Sequence, residues 1–256
     1  MTTQVNEAYI KSETHQGITT IEFFHPQSNS LPGHLLNELA HSIQHAAVDP
    51  KTHVVILKSA GTKAFCAGAS FDELISIKDL ETGKQFFSGF AKVINACRKA
   101  PKFIIGRVHG KAVGGGVGIA SAVDYCLATK YAEVKLSELA VGIGPFVVGP
   151  AVERKMGLSA MSQLAINATE WRTAEWAMQN GLYADVFDTE DEMDEEITRL
   201  ATVLSKSSPE AMAELKKIFW KGTEDWDQLL SDRAGISGTL VLSDFTVNAI
   251  NAFKKN

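Results

Sequence analysis

The chain has 256 residues, 45% of them apolar and 21% charged, with 25 basic against 30 acidic side chains for a formal charge of −5. That length buries a sizeable core without disulfides or metal, as one large domain or one domain with a small appendage. The mild acidity argues against nucleic acid or an anionic membrane as the main partner, because both are bound by surplus Lys and Arg. An anionic small ligand held by a local basic patch stays open.

Cys66, Cys97 and Cys126 are odd in number, widely spaced and without a CxxC pair, so neither a disulfide framework nor a thiolate zinc site is indicated and a reducing cytoplasm fits. Met1 to Glu7 is polar, and no apolar run approaches the roughly 20 residues of a spanning helix. The expectation is a cytoplasmic protein with no membrane partner.

In chain order, Ile18 to Phe24 is rich in β-branched and aromatic residues and ends at Pro26, Asn29 and Ser30, which predicts a strand. Pro32 suits a first helical turn, and Leu36, Leu39, Ala40, Ile43 and Ala47 recur at helical spacing up to Asp49-Pro50. Val54 to Leu57 is a continuous apolar strand of the kind buried on both faces. A helix from about Thr82 to Ala100, a strand from Phe103 to Val108, a glycine-rich turn, a helix to about Val123 and a strand from Tyr125 to Ala128 follow. Strands alternating with helices predict crossover units and largely parallel pairing. Beyond residue 150 only a short strand near Ala184 to Phe187 is expected. Thr173 and Gly181 bracket one helix, Thr189 and Glu192 have capping-box spacing for the next, and Ser208-Pro209 opens another that Gly222 closes. The reading is an α/β core over 1–190 and a helical region over 191–256, without a fixed-period repeat.

Two segments place glycine or small residues where a strand gives way to a helix: Phe65-Cys66-Ala67-Gly68-Ala69-Ser70 and Val113-Gly114-Gly115-Gly116-Val117-Gly118. Taken singly, each is also compatible with a tight turn or close packing. Neither fits GxGxxG in a dinucleotide context, and the chain has no GxxxxGK[ST] or GxSxG motif. Two such loops aiming one N–H each at a single carbonyl oxygen would make an oxyanion hole.

Together these segments resemble the crotonase superfamily, also called the enoyl-CoA hydratase/isomerase family, over nearly the whole chain. The likeness is carried by Pro26-Gln27-Ser28-Asn29-Ser30-Leu31, Ala64-Phe65-Cys66-Ala67-Gly68-Ala69, and Gly110-Lys111-Ala112-Val113-Gly114-Gly115-Gly116 with Asp124 downstream. Ser137-Glu138-Leu139-Ala140-Val141-Gly142 with Pro145 and the terminal Ala252-Phe253-Lys254-Lys255 complete it. The resemblance implies a core of spiral ββα turns and a helical C-terminal region that builds a homotrimer or a dimer of trimers. It implies an acyl-CoA substrate, with coenzyme A as part of the thioester and no permanently bound cofactor. The backbone N–H groups of Ala69 and Gly115 would hold the thioester carbonyl, with Ala67, Gly68, Ser70 and Gly114 around the substrate.

In the family's hydratases two glutamates face the substrate. Here the first position is Gly118, and only the second, Glu138, is present. Hydration divides water activation and proton delivery between two carboxylates, whereas moving a double bond from the 3,4 to the 2,3 position needs one, to lift a proton from C2 and return it at C4. The lone Glu138 therefore points to an enoyl-CoA isomerase. The alternatives are a hydratase with a second acid from Asp72, Glu73 or Glu153, with Gly118 widening the acyl pocket, or a CoA-binding subunit without activity. Phe146 is expected to line the acyl pocket, and Lys254 or Lys63 to meet the CoA phosphates. Ser70 stands where many members carry aspartate. His41 and His45, four apart with His34 before them, fall on the polar side of the first helix without a third ligand, so a solvated face is expected and no metal site is assigned. His109 is assigned a structural role.

Overall fold

The computed structural model describes residues 7–253. The hairpin that starts the fold, β1 (Tyr9–His15) and β2 (Ile18–Phe24), turns at Gln16 and Gly17, both at positive φ (49° and 82°). That backbone matches the right-handed strand twist. A parallel series then builds outward: β2, β3 (Val54–Ser59), β5 (Ile104–Val108), β7 (Tyr125–Thr129) and β9 (Asp185–Phe187), giving a six-stranded sheet in the order β1-β2-β3-β5-β7-β9.

Each central strand is followed by a short strand in a second layer. β4 (Ala64–Cys66), β6 (Lys111–Val113) and β8 (Val134–Lys135) form a parallel three-stranded sheet in that order. After each short strand the chain returns through a helix: α2 (Phe71–Leu74) and α3 (Leu80–Lys99), then α4 (Gly115–Ala122), then a 3₁₀ turn Glu138–Val141 and α5 (Gly149–Ile166). This is the spiral of ββα turns. Because β4, β6 and β8 are parallel neighbours, their C-terminal ends open side by side, and everything that follows them converges.

β1, β4, β6 and β8 escaped the reading of the sequence. The last three have only two or three residues each, too few for a period to show. β5 is buried along its whole length and β3 nearly so. One face packs against α1 (Gly33–Val48) and α3, the other against Met193, Ile197 and Ala201 of α7 (Glu190–Ser205). α3 begins two residues before Thr82, because the Asp79 side chain accepts the Thr82 N–H at 2.8 Å. Pro32 is the N-cap of α1, one position ahead of the first turn. α5 had no separate expectation; Gly157 (φ 79°, ψ 160°) breaks it in the middle.

Thr173 caps α6 (Ala174–Gln179), the Thr189/Glu192 capping box is formed, and Ser208 caps α8 (Pro209–Phe219). The C-terminal helices share the core: Trp220, Trp226, Leu230 and Ala234 belong to the same buried cluster as Ile21, Phe23 and Leu57. α9 (Trp226–Leu240) runs antiparallel along α3, from the Lys99–Asp227 ion pair (2.6 Å) at one end to Gly83 against Gly238 at the other. α10 (Asp244–Phe253) lies on the 3₁₀ turn. Asp124 ties α8 down. Its carboxylate accepts from the Ile104 N–H (2.8 Å), Trp220 Nε1 (3.1 Å) and Lys216 Nζ (2.8 Å), all in the interior.

Candidate active site

Three chain segments meet where β4, β6 and β8 end. The first is shaped by the loop before α1. Ser28 and Asn29 both have positive φ (54° and 56°), a conformation in which Asn is enriched. The buried Asn29 amide donates to the Ala60 and Ala64 carbonyls, each at 2.8 Å, and so clamps β4 from outside. Leu31 then bridges this loop to the next: its N–H donates to Gly68 O (2.8 Å), its carbonyl accepts from Ser70 N (3.1 Å), and Ser30 Oγ donates to Ala69 O (2.9 Å). Gly68, at φ 90°, donates its N–H to Cys66 Sγ at 3.4 Å. With both neighbours so held, the Ala69 N–H enters no backbone hydrogen bond among the described residues.

The second segment is the start of α4. Gly114 (φ 52°, ψ −112°) is its N-cap and Gly115 its first residue, whose N–H likewise enters no backbone hydrogen bond among the described residues. These glycines are required by crowding. A Cβ on Gly115 would lie 2.1 Å from Phe90 Cζ, and one on Gly116 2.4 Å from Cys66 O. A Cβ on Gly68 would lie 3.7 Å from Gly115 N, so the two loops are in contact, and both free N–H groups border one cavity. The start of α4 adds the positive end of its dipole.

The third segment carries a glutamate. Glu138 opens the 3₁₀ turn, which Gly142 (φ 80°) ends. Its carboxyl end is the buried part of a half-buried residue: Oε2 is shut off from solvent without a hydrogen-bond partner among the described residues, and Oε1 points at Gly114, where a Cβ would come within 2.8 Å. Burial pushes the carboxyl up to about 7, since a carboxylate there has lost its water.

The cavity these segments enclose has a volume of about 550 Å³. Ala67, Gly68, Ala69, Gly114, Gly115, Glu138 and Phe146 all line it, which brings together residues spread over eighty positions of sequence. Phe86, Phe87, Phe90 and Val148 make much of the rest apolar. Ser70 is not among the lining residues; its hydroxyl accepts the Glu73 N–H at 3.3 Å and caps α2. Lys63 is exposed beside a separate groove near Pro26, and Lys254 lies outside the described residues. Of the three alternative acids, Glu73 accepts the Gly33 N–H at 2.8 Å and Glu153 is exposed away from the cavity. Only Asp72 reaches it, as an exposed residue at the rim that accepts from Gln27 Nε2 at 3.3 Å.

Gly118 is buried but does not line the cavity; Val148 does, and its Cγ1 would lie 2.5 Å from a Cβ at 118. The glycine therefore does not widen the pocket. His34, His41 and His45 sit on an exposed helix face, and no three His, Cys, Asp or Glu side chains among the described residues are placed to hold a metal. His109 is buried, with both ring nitrogens unpartnered among the described residues and burial holding it below the usual histidine range. It is not part of the cavity wall. No helix among the described residues is long and apolar enough to cross a membrane.

A spiral of ββα turns with two unpaired N–H groups beside a buried glutamate defines a class, and comparison with known proteins agrees. Residues 13–237 match the family described as Enoyl-CoA hydratase/isomerase, and the chain belongs to it. A probable enoyl-CoA hydratase of Bacillus subtilis is 27% identical over 206 residues, covering 80% of this chain and 79% of that protein. A peroxisomal Delta(3,5)-Delta(2,4)-dienoyl-CoA isomerase of Arabidopsis thaliana is also 27% identical, over 220 residues, with 80% and 77% covered. The crystal structure of an enoyl-CoA hydratase from Bacillus halodurans superposes with a TM-score of 0.88 at 21% identity over 95% of this chain and 99% of that one, which bears on the fold.

Proposed function

We propose that the chain is an enoyl-CoA isomerase that shifts a 3,4 double bond to the 2,3 position of a CoA thioester. The thioester carbonyl accepts hydrogen bonds from the Ala69 and Gly115 N–H groups. Glu138 takes the proton from C2, and the electron pair of that bond forms a C1–C2 double bond as the carbonyl π pair moves onto oxygen. The enolate then collapses, its carbon–carbon pair becomes the C2–C3 double bond, and the C3–C4 π pair takes the proton back from the same carboxyl at C4. The two donors act where charge develops in the transition state, and a carboxyl raised to about 7 is a better base than an ordinary one while it can still give the proton back.

The observation that carries this reading is the solitude of Glu138. Among the described residues it is the one buried carboxyl on the cavity wall, and Val148 occupies the space beside Gly118. A hydratase reading rests on Asp72 as the second acid, and its exposure to bulk water at the rim argues against that role. Purified protein is expected to convert 3-enoyl-CoA and to hydrate 2-enoyl-CoA poorly. Efficient hydration overturns the isomerase reading, and turnover that survives Glu138→Gln overturns the role of the glutamate.

The assembly reading is also a proposal. Leu215, Ile218 and Phe219 of α8 are exposed apolar side chains within a region that otherwise joins the core, and they suit a homotrimer or dimer of trimers. Light scattering of the eluted protein tests this, and a monomer refutes it.

A further inference from the structure

The far wall of the cavity is the seam between α3 and α9, and one residue there is polar. Ser237 lines the cavity, is 1% exposed, and its hydroxyl makes no hydrogen bond among the described residues. A helical hydroxyl without another partner usually falls back on the carbonyl one turn earlier. Thr239, two residues on, does so with Gly235 O at 3.0 Å, and Ser88 of α3 does so with Lys84 O at 2.7 Å. Ser237 does not, and the open space next to it is the cavity.

Its distance from the reacting end follows from the helix pairing. The next residue, Gly238, lies against the backbone of Gly83, where a Cβ on Gly83 would be 2.9 Å from Gly238 Cα. Phe90, whose ring touches the Gly115 position, is two turns further along α3, about 10 Å at the helical rise per residue. Phe86 and Phe87 line the wall between them.

Building on the acyl-CoA reading above, we infer that Ser237 is a specificity-determining residue selecting acyl groups with an apolar body and a hydrogen-bonding oxygen on the order of 10 Å from the thioester carbonyl. A plain hydrocarbon end leaves the buried hydroxyl dry, whereas a hydroxyl or carbonyl oxygen pairs with it. A site with a buried polar group discriminates against a ligand that leaves that group unpaired.

The test is calorimetric titration of the full chain with hexanoyl-, octanoyl- and decanoyl-CoA and their terminally hydroxylated counterparts, which carry no double bond to move. At one chain length the added hydroxyl is expected to tighten binding on the order of fivefold. Ser237→Ala is expected to abolish that gain while binding the plain acyl-CoA at least as well, which also shows that the variant is folded. A hydroxyl-to-hydrocarbon affinity ratio that is the same in both proteins at every length overturns the inference. If no acyl-CoA binds more tightly than free CoA, the acyl-CoA reading fails first and the inference with it.

Discussion

Val148 fills the space that any side chain at Gly118 would need: its Cγ1 lies 2.5 Å, and its Cβ 2.8 Å, from the position of a Cβ there. The position where the resemblance leads one to expect a second glutamate thus lacks a side chain and is also crowded by a neighbouring residue. Gly118→Glu alone is expected to destabilise the fold by about 1–3 kcal/mol, the usual cost of forcing extra volume into a packed interior, without conferring hydration. Gly118→Glu with Val148→Ala is expected to recover stability and gain measurable hydration of 2-enoyl-CoA. Thermal melts and the hydration assay on both variants check this.

Glu138 links activity and stability to pH with opposite signs. In the proposed mechanism Glu138 acts as a base when ionised, so kcat/KM is expected to rise with pH through about 7 and then level off. Its raised pKa means the folded state holds the proton over a range where the unfolded state has lost it. Its contribution to stability therefore falls as pH rises from about 4.5 to about 7 and is flat above. Glu138→Gln removes this loss: it is expected to be more stable than the wild type by roughly 3 kcal/mol at pH 8, with the gap closing near pH 4. Urea unfolding at the two pH values measures it.

Gly115 does two things, and they are separable. Its lack of a side chain admits the Phe90 ring, and it lines the cavity with an N–H that enters no backbone hydrogen bond among the described residues. With Phe90→Ala making room, Gly115→Ala keeps the donor and Gly115→Pro deletes it, and proline is tolerated at a first helical position. The proline double variant is expected to turn over about 100-fold or more slower than the alanine one. Equal kcat values would overturn the proposed role of Gly115 as an oxyanion donor.

Lys216 and Asp124 form an ion pair at 2.8 Å with side chains only 3% and 7% exposed. Lys216→Met strands the Asp124 charge in the interior and is expected to cost about 3–5 kcal/mol. Lys216→Met with Asp124→Asn removes that charge and is expected to cost less. A double-mutant cycle by denaturant unfolding resolves the coupling.

The strands β2, β3, β5 and β7 and the helices α1 and α3 were legible because each carries a β-branched or apolar run, or a helical stripe, long enough to show, and α4 followed from the succession of strands and helices. Capping residues marked α6, α7 and α8 for the same local reason: Thr173, Thr189 and Ser208 bond to backbone three residues on. The asparagine clamp was not legible, since Asn29 bonds to residues 31 and 35 positions away. Nor was Ser237, one of two serines on a helix whose partner, α3, lies some 150 residues earlier.

By itself the sequence determined the alternation of strands and helices, the two glycine-rich junctions and, through its likeness to a family, which glutamate to watch. These depend on neighbours within a turn or two of the chain. Only the tertiary structure decided that the ends of β4, β6 and β8 lie side by side, that Ala69, Gly115 and Glu138 border one cavity, and that Val148 closes the place at Gly118. Those facts rest on strand register and on side chains from distant segments competing for the same volume, and neither leaves a periodic trace in the order of residues.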